Sequence, residues 1–200
     1  MKKLLLVLVL SVLSLGASAK AEKWIIDTAH SKVGFEISHL VISTVEGNFS
    51  DFSGSLIFDE KDPLKSKNLF KISADIKSSS INTNNDKRDK HLRSADFFDV
   101  AKNPKVTFVS KKIKSKDGKK YLIEGDLGMA GKTKTVILEV KYLGSVEAYD
   151  VKRVSFKAKT TIKREDFGLT WNDVVEAGPV VGSEIEIELR IQAKRAADLE

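Results

Sequence analysis

An all-β fold closing into an antiparallel barrel of about eight strands is what this chain predicts. Three observations predict it. Long stretches alternate apolar and polar residues with period two, the mark of strands that bury one face. One short stretch alone reads as helix. So many long strands in an open sheet would expose edges that invite aggregation, and closure removes them. A two-sheet sandwich is the other architecture this pattern allows.

The elements follow in chain order. Lys2-Lys3, an apolar run over residues 4–15 and Ala17-Ser18-Ala19 form a secretory signal peptide over residues 1–19, cleaved after Ala19 or Ala21. The run falls short of the ~20 residues a spanning helix needs. Residues 20–200 are then expected to be a single domain. Strands are predicted at 23–27, 32–40 and 45–59. In the last, apolar parity switches between Phe49 and Phe52, which predicts a bulge near Ser50-Asp51. Over 70–78, Phe70, Ile72, Ala74 and Ile76 oppose Lys71, Ser73, Asp75 and Lys77. Residues 84–93, NNDKRDKHLR, break the pattern and predict a helix within a short helical segment near residues 84–98. Thr83 or Asn84 is its expected cap, with Asp86–Lys90 and Asp89–Arg93 as i,i+4 pairs. Strands resume at 104–114, 120–128 and 133–143, the last two joined by the turn 129–132. The clearest alternation comes last, in 153–163 and in 184–194, where Ile185, Ile187, Leu189, Ile191 and Ala193 share one face.

Composition removes several functions. The absence of cysteine excludes disulfides, thiolate catalysis and cysteine zinc sites. Export without disulfides suits a periplasm. The net charge of +6, of which Lys2 and Lys3 supply two, is spread over polar faces. The one cationic cluster, Lys111 to Lys120, surrounds Gly118 and reads as a solvated hairpin tip. Phenylalanines alternate away from lysines, against single-strand nucleic-acid binding. Asp166-Phe167-Gly168 matches a kinase string, but no glycine-rich phosphate loop precedes it. Gly144-Ser145 lacks the flanking glycines of a nucleophile elbow.

Several short motifs occur in a telling order: Trp24-Ile25-Ile26-Asp27, His30-Ser31, Phe35, His39, Gly47-Asn48-Phe49, Phe52-Ser53-Gly54 and Ser80-Ile81-Asn82-Thr83. Arg88-Asp89, His91-Leu92-Arg93, Asp96-Phe97-Phe98-Asp99, Pro104 and Phe108-Val109-Ser110 follow. Gly125-Asp126-Leu127, Gly131, Arg164, Asp166-Phe167-Gly168 and Trp171 complete the set. In this order and spacing, over residues 24–192, the chain resembles the YceI-like family of bacterial lipid- and polyisoprenoid-binding proteins. The resemblance implies an extended lipocalin-like eight-stranded barrel with a long apolar cavity, periplasmic export, a non-enzymatic role, an isoprenoid or fatty-chain ligand and a homodimer. Gly128-Met129-Ala130 departs from the family pattern and implies a looser hairpin there.

Within that frame Phe35, Phe49, Phe52, Phe58, Phe108 and Phe156 are the wall candidates, since rings offer large area with no unpaired polar atom. Each could equally be core filler. The charged helix is read as a cover, with Leu92, Phe97 and Phe98 as its apolar underside and Asp86, Arg88, Asp89, Lys90 and Arg93 facing water or one another. Phe167 and Trp171 would form a second loop near a barrel end. His39 and His91 are candidate polar handles, His91 beside Arg88 and Arg93 for an anionic or phenolic head. Each buried methylene gives ~0.8 kcal/mol, so a tail of more than about ten carbons is expected. The function expected is transport or sequestration of a long-tailed amphiphile, a polyisoprenoid or a fatty acid or amide, with no cofactor and no stable membrane anchor. The alternatives are a secreted metal-dependent enzyme using His30, His39 and His91, or a ligand-free structural or stress protein.

Overall fold

The period-two stretches do form strands in the computed structural model, which describes residues 21–60, 64, 67, 70–117, 119–175 and 178–199. The expected signal segment at residues 1–19 and Gly118 lie outside the described residues. The strands are β1 Glu22–Ile26, β2 Lys32–His39, β3 Ser43–Phe49, β4 Phe52–Phe58, β5 Lys71–Lys77 and β6 Ile81–Asn82. After helix α1, Asp86–Arg93, come β7 Lys105–Ser115, β8 Lys120–Met129, β9 Lys132–Ala148, β10 Val151–Lys163, β11 Val174–Val175, β12 Gly178–Pro179 and β13 Val181–Arg195.

β1 pairs with both β4 and β13, which closes the ring β1-β4-β5-β7-β8-β9-β10-β13 into an eight-stranded antiparallel barrel. β2, β3 and β6 extend it. β2 continues β1 along β13 and pairs with β3, which continues β4 and pairs with β6. The first three staves of the barrel are thus each jointed, at residues 28–30, 50–51 and 78–80. The joints sit side by side, stitched by Asp27 N–H to Gln192 O at 2.8 Å, Ser50 N–H to Ser80 O at 3.2 Å and Lys77 N–H to Asp51 O at 2.9 Å. In place of the bulge expected near Ser50-Asp51, the stretch predicted as one strand over 45–59 is divided there into β3 and β4. The other five staves run unbroken. No helix among the described residues is long and apolar enough to cross a membrane.

β9 and β10 run further than the sequence pattern predicts. Their extension, residues 144–152, turns through Tyr149 and Asp150, both at positive φ, as two-residue hairpins require. The looser hairpin expected after Leu127 is instead tight. Met129 pairs with Lys132, and Ala130 and Gly131 alone make the turn at φ 48° and 76°. Of the cationic cluster, Lys111, Lys112, Lys116 and Lys120 each meet a carboxylate.

Helix α1 begins two residues later than expected. Its cap is Asn85, whose side chain accepts from Arg88 N–H at 3.0 Å, rather than Thr83 or Asn84. The outward role given to Asp89 and Arg93 is also corrected. Asp89 is 4% exposed and accepts from Thr83 N–H at 2.9 Å and Thr83 Oγ1 at 2.6 Å. Arg93 reaches back to Ser79 O at 2.8 Å and Ile81 O at 2.6 Å, and Arg88 to Thr83 O at 2.8 Å. These bonds tie the helix to the strand it follows, and a buried carboxylate needs such donors.

Candidate functional site

Alternation turns every second side chain inward, and the inward set is almost wholly apolar. It surrounds a cavity of about 240 Å³. At about 10–15 Å³ for each water-sized group, that is room for on the order of twenty. Phe35, Phe49, Phe52, Phe58, Phe108 and Phe156 all line it, as do Leu92, Phe97 and Phe98 from the cover. Two glycines make room for rings. A Cβ on Gly47 would fall 2.4 Å from the Phe35 ring, and one on Gly125 2.4 Å from that of Phe108. Each ring therefore lies flat across a neighbouring strand.

The two ends differ. At the β1 end, Trp24 stacks on Phe58 at 5.5 Å, Phe58 meets Phe156 edge-on at 5.7 Å, and Phe156 lies 5.4 Å from Tyr142. Beside these rings Glu60 reaches the cavity and accepts from Tyr142 Oη at 3.1 Å, from Ser145 Oγ and from Lys152 Nζ. Burial raises the Glu60 carboxyl, but the hydrogen bonds from Lys152 and Ser145 outweigh it and hold the group below the usual glutamate range. Lys152 is raised in turn by the hydrogen bond to Glu60.

At the α1 end Phe98 meets Phe49 edge-on at 5.9 Å. Outside it, His91 sits between Phe97 at 5.1 Å and Trp171 at 4.8 Å, and Nε2 lies 2.9 Å from Asp96 Oδ2. Arg164, just past β10, also reaches the cavity wall. It is 3% exposed and donates from Nε to Gly182 O at 2.8 Å and from Nη1 to Trp171 O at 2.8 Å and to Leu169 O.

Four of the expected site residues stand outside the lining. Phe167 is buried in the core beside it, and Trp171 backs Phe97 from outside. His91 belongs to that outer ring cluster, while Arg88 and Arg93, its expected companions at a head group, are spent on backbone carbonyls. His39 lies at the end of β2. The three histidines do not converge. His30 pairs with Asp27 near the β1 end, and among the described residues no group of three or more His, Asp or Glu could hold a metal. Sequence reasoning missed the aliphatic wall, including Ile72, Ile123, Leu138 and Ile187. The alternation already carried that signal, and the focus on aromatics obscured it. It also missed Glu60, Thr160 and Arg164, polar side chains that reach the wall.

A YceI-like domain model matches residues 24–193. The chain belongs to the YceI-like family. Among YceI-like relatives, the YceI protein of Escherichia coli O157:H7 is 43% identical over 173 residues, covering 84% of this chain and 88% of that one. The crystal structure of the Campylobacter jejuni YceI protein superposes with a TM-score of 0.67 at 34% identity, over 84% of this chain and 95% of its own. A polyisoprenoid-binding domain from Saccharophagus degradans shares the fold, with a TM-score of 0.59 at 16% identity over 88% of this chain and 99% of its own. The YceI-like barrel is thus what the alternation and the motifs together anticipated.

Proposed function

We propose that this chain is an exported carrier that binds a long-tailed amphiphile, a polyisoprenoid or a fatty acid or amide, inside its barrel. One observation carries the reading: a cavity of about 240 Å³ lined by inward side chains of eight staves, nearly all without polar atoms. Tail burial at ~0.8 kcal/mol per methylene drives such binding and requires no chemistry. Membership of the YceI-like family and the likeness to a polyisoprenoid-binding domain support it. Binding rather than catalysis also fits the polar groups, most of which are engaged in holding loops and ends together. Lys2-Lys3 and the apolar run behind them support export to the periplasm. Cell fractionation with the mass of the mature chain tests that part.

Native mass spectrometry before and after organic extraction tests the carrier. We expect a mass loss on extraction that is restored by adding a long-chain amphiphile. An unchanged mass, with no uptake of added lipid, overturns the proposal in favour of a ligand-free barrel. The same spectra read out the homodimer that family membership suggests.

A further inference from the structure

Exposed apolar side chains gather on turns at both ends of the barrel. His39 lies opposite Val181 at the start of β13, whereas Trp24 lies opposite Arg195 at its finish, so the β2–β3 turn is at the end away from Trp24. In that turn Val41 and Ile42 are 66% and 91% exposed, and Val174 of β11 is 75% exposed. The two turns touch. Leu40 N–H donates to Val180 O at 2.9 Å, and a Cβ on Gly178 would fall 3.7 Å from Val41 Cγ2. The first turn is also strained. Leu40 and Val41 hold φ at 52° and 65°, where glycine sits freely and a β-branched residue is an outlier. From Ser38 to Val45 the chain carries no Lys, Arg, Asp or Glu. A turn that only joined two strands would be better served by glycine and polar residues, and kept strain points to a use. At the other end the β9–β10 hairpin exposes Leu143, Val146 and Tyr149, but Glu147 and Asp150 stand exposed among them.

Resting on the carrier reading above, we propose that Val41, Ile42 and Val174 form a docking surface that dips reversibly into a bilayer of zwitterionic lipid, where the barrel takes up and gives back its guest. Three features select a bilayer. The first is area. A stable protein interface takes about 800 Å² from each partner, and three side chains of roughly 100 Å² apiece fall well short of it. A fluid lipid surface admits such tips without a matching shape. The second is continuity. Trp171, just ahead of Val174 in the chain, packs at 5.3 Å on Phe97, and Phe97, Ile37 and Val181 line the cavity. Apolar side chains thus continue from the tips to the wall that would hold a tail. The third is charge. Val41 and Ile42 carry none into the lipid, while Asp173 and Glu176 flank Val174-Val175 in the sequence. Carboxylates suit the outward choline or ammonium of a zwitterionic surface and are repelled by an anionic one.

Flotation of the intact, delipidated protein with dioleoylphosphatidylcholine vesicles tests this, together with transfer of pyrene-labelled hexadecanoate from vesicle to protein. We expect the protein to float with the vesicles, with no gain when anionic phosphatidylglycerol is mixed in. Ile42→Ser should weaken vesicle binding roughly tenfold, the equivalent of one large aliphatic side chain left in water, and slow transfer by a similar factor. Its affinity for the labelled tail should not change, because Ile42 is exposed and outside the cavity lining. Val41→Gly should also weaken vesicle binding while raising the midpoint of urea unfolding, because glycine holds a φ of 65° without strain. Protein that binds the labelled tail but stays off the vesicles overturns the docking surface and leaves the carrier standing. Protein that floats but takes up no tail overturns the carrier. Binding that requires phosphatidylglycerol overturns the zwitterionic surface. Flotation lost in Tyr149→Ser but kept in Ile42→Ser moves docking to the β9–β10 hairpin and overturns the assignment. A dimer in solution that Ile42→Ser dissociates overturns the bilayer in favour of a second copy.

Discussion

One end of this barrel is lined by rings of its own strands and the other by a tethered helix and the segment behind it. Trp24, Phe58, Phe156 and Tyr142 fill the β1 end with aromatic surface contributed by the strands themselves. At the α1 end Leu92, Phe97 and Phe98 contribute to the lining from the helix and the segment behind it, held by Asp89, Arg88 and Arg93 through hydrogen bonds to Thr83, Ser79 and Ile81. The first closure draws on burial, which is non-directional and belongs to the barrel core. The second depends on a handful of directional bonds between segments close in sequence. Such a cover can loosen without unfolding the strands.

Substitutions can break or sharpen this contrast. Trp24→Ala should cost the most, about 4 kcal/mol in urea unfolding, because Trp24 is 0% exposed and the cavity left cannot collapse between strands. Replacing Phe97 and Phe98 together by Ala should cost about 3 kcal/mol and release bound lipid, with the buried Phe98 carrying most of the stability loss. Lowered stability with unchanged lipid retention would reduce this end to core sealing. Asp89→Ala leaves two Thr83 donors unpaired and should cost about 2 kcal/mol, seen as faster hydrogen exchange confined to residues 82–93. Exchange that quickens throughout the barrel would show that the two ends do not act separately.

Smaller effects sharpen the β1 end. Glu60 has a depressed carboxyl, so its contribution is present above the ordinary glutamate range and is lost as pH falls through the lowered folded value. Glu60→Gln should cost about 1 kcal/mol at neutral pH and almost nothing once the pH has fallen below the lowered folded value, which unfolding curves at several pH values check. Ala130→Gly should raise stability by about 0.5 kcal/mol, since Ala130 holds φ at 48° in a two-residue turn. That gain should leave lipid retention unchanged, because neither Ala130 nor Gly131 lines the cavity.

Much of this barrel was legible because alternation is local. Every predicted strand has its counterpart, and the parity switch at Phe49 and Phe52 located a joint. What escaped depends on contacts distant in sequence or on chemistry that periodicity does not mark. Asp89 resembles a surface charge until Thr83 is known to face it. Arg164 and Glu60 resemble loop charges until closure brings them to the wall. His91 belongs to a recognisable motif, yet its ring supports Phe97 from outside and does not face the cavity. Gly144, at φ 136°, and the Tyr149-Asp150 turn concealed the true length of β9 and β10, because neither reads as a standard strand or hairpin signal.

The three aligned joints at residues 28–30, 50–51 and 78–80 give the tube a pleat on one flank only. Five continuous staves act as its spine, while the pleated flank has fewer rungs to break when the bore swells. Amides on that flank should therefore exchange with solvent before those of the spine.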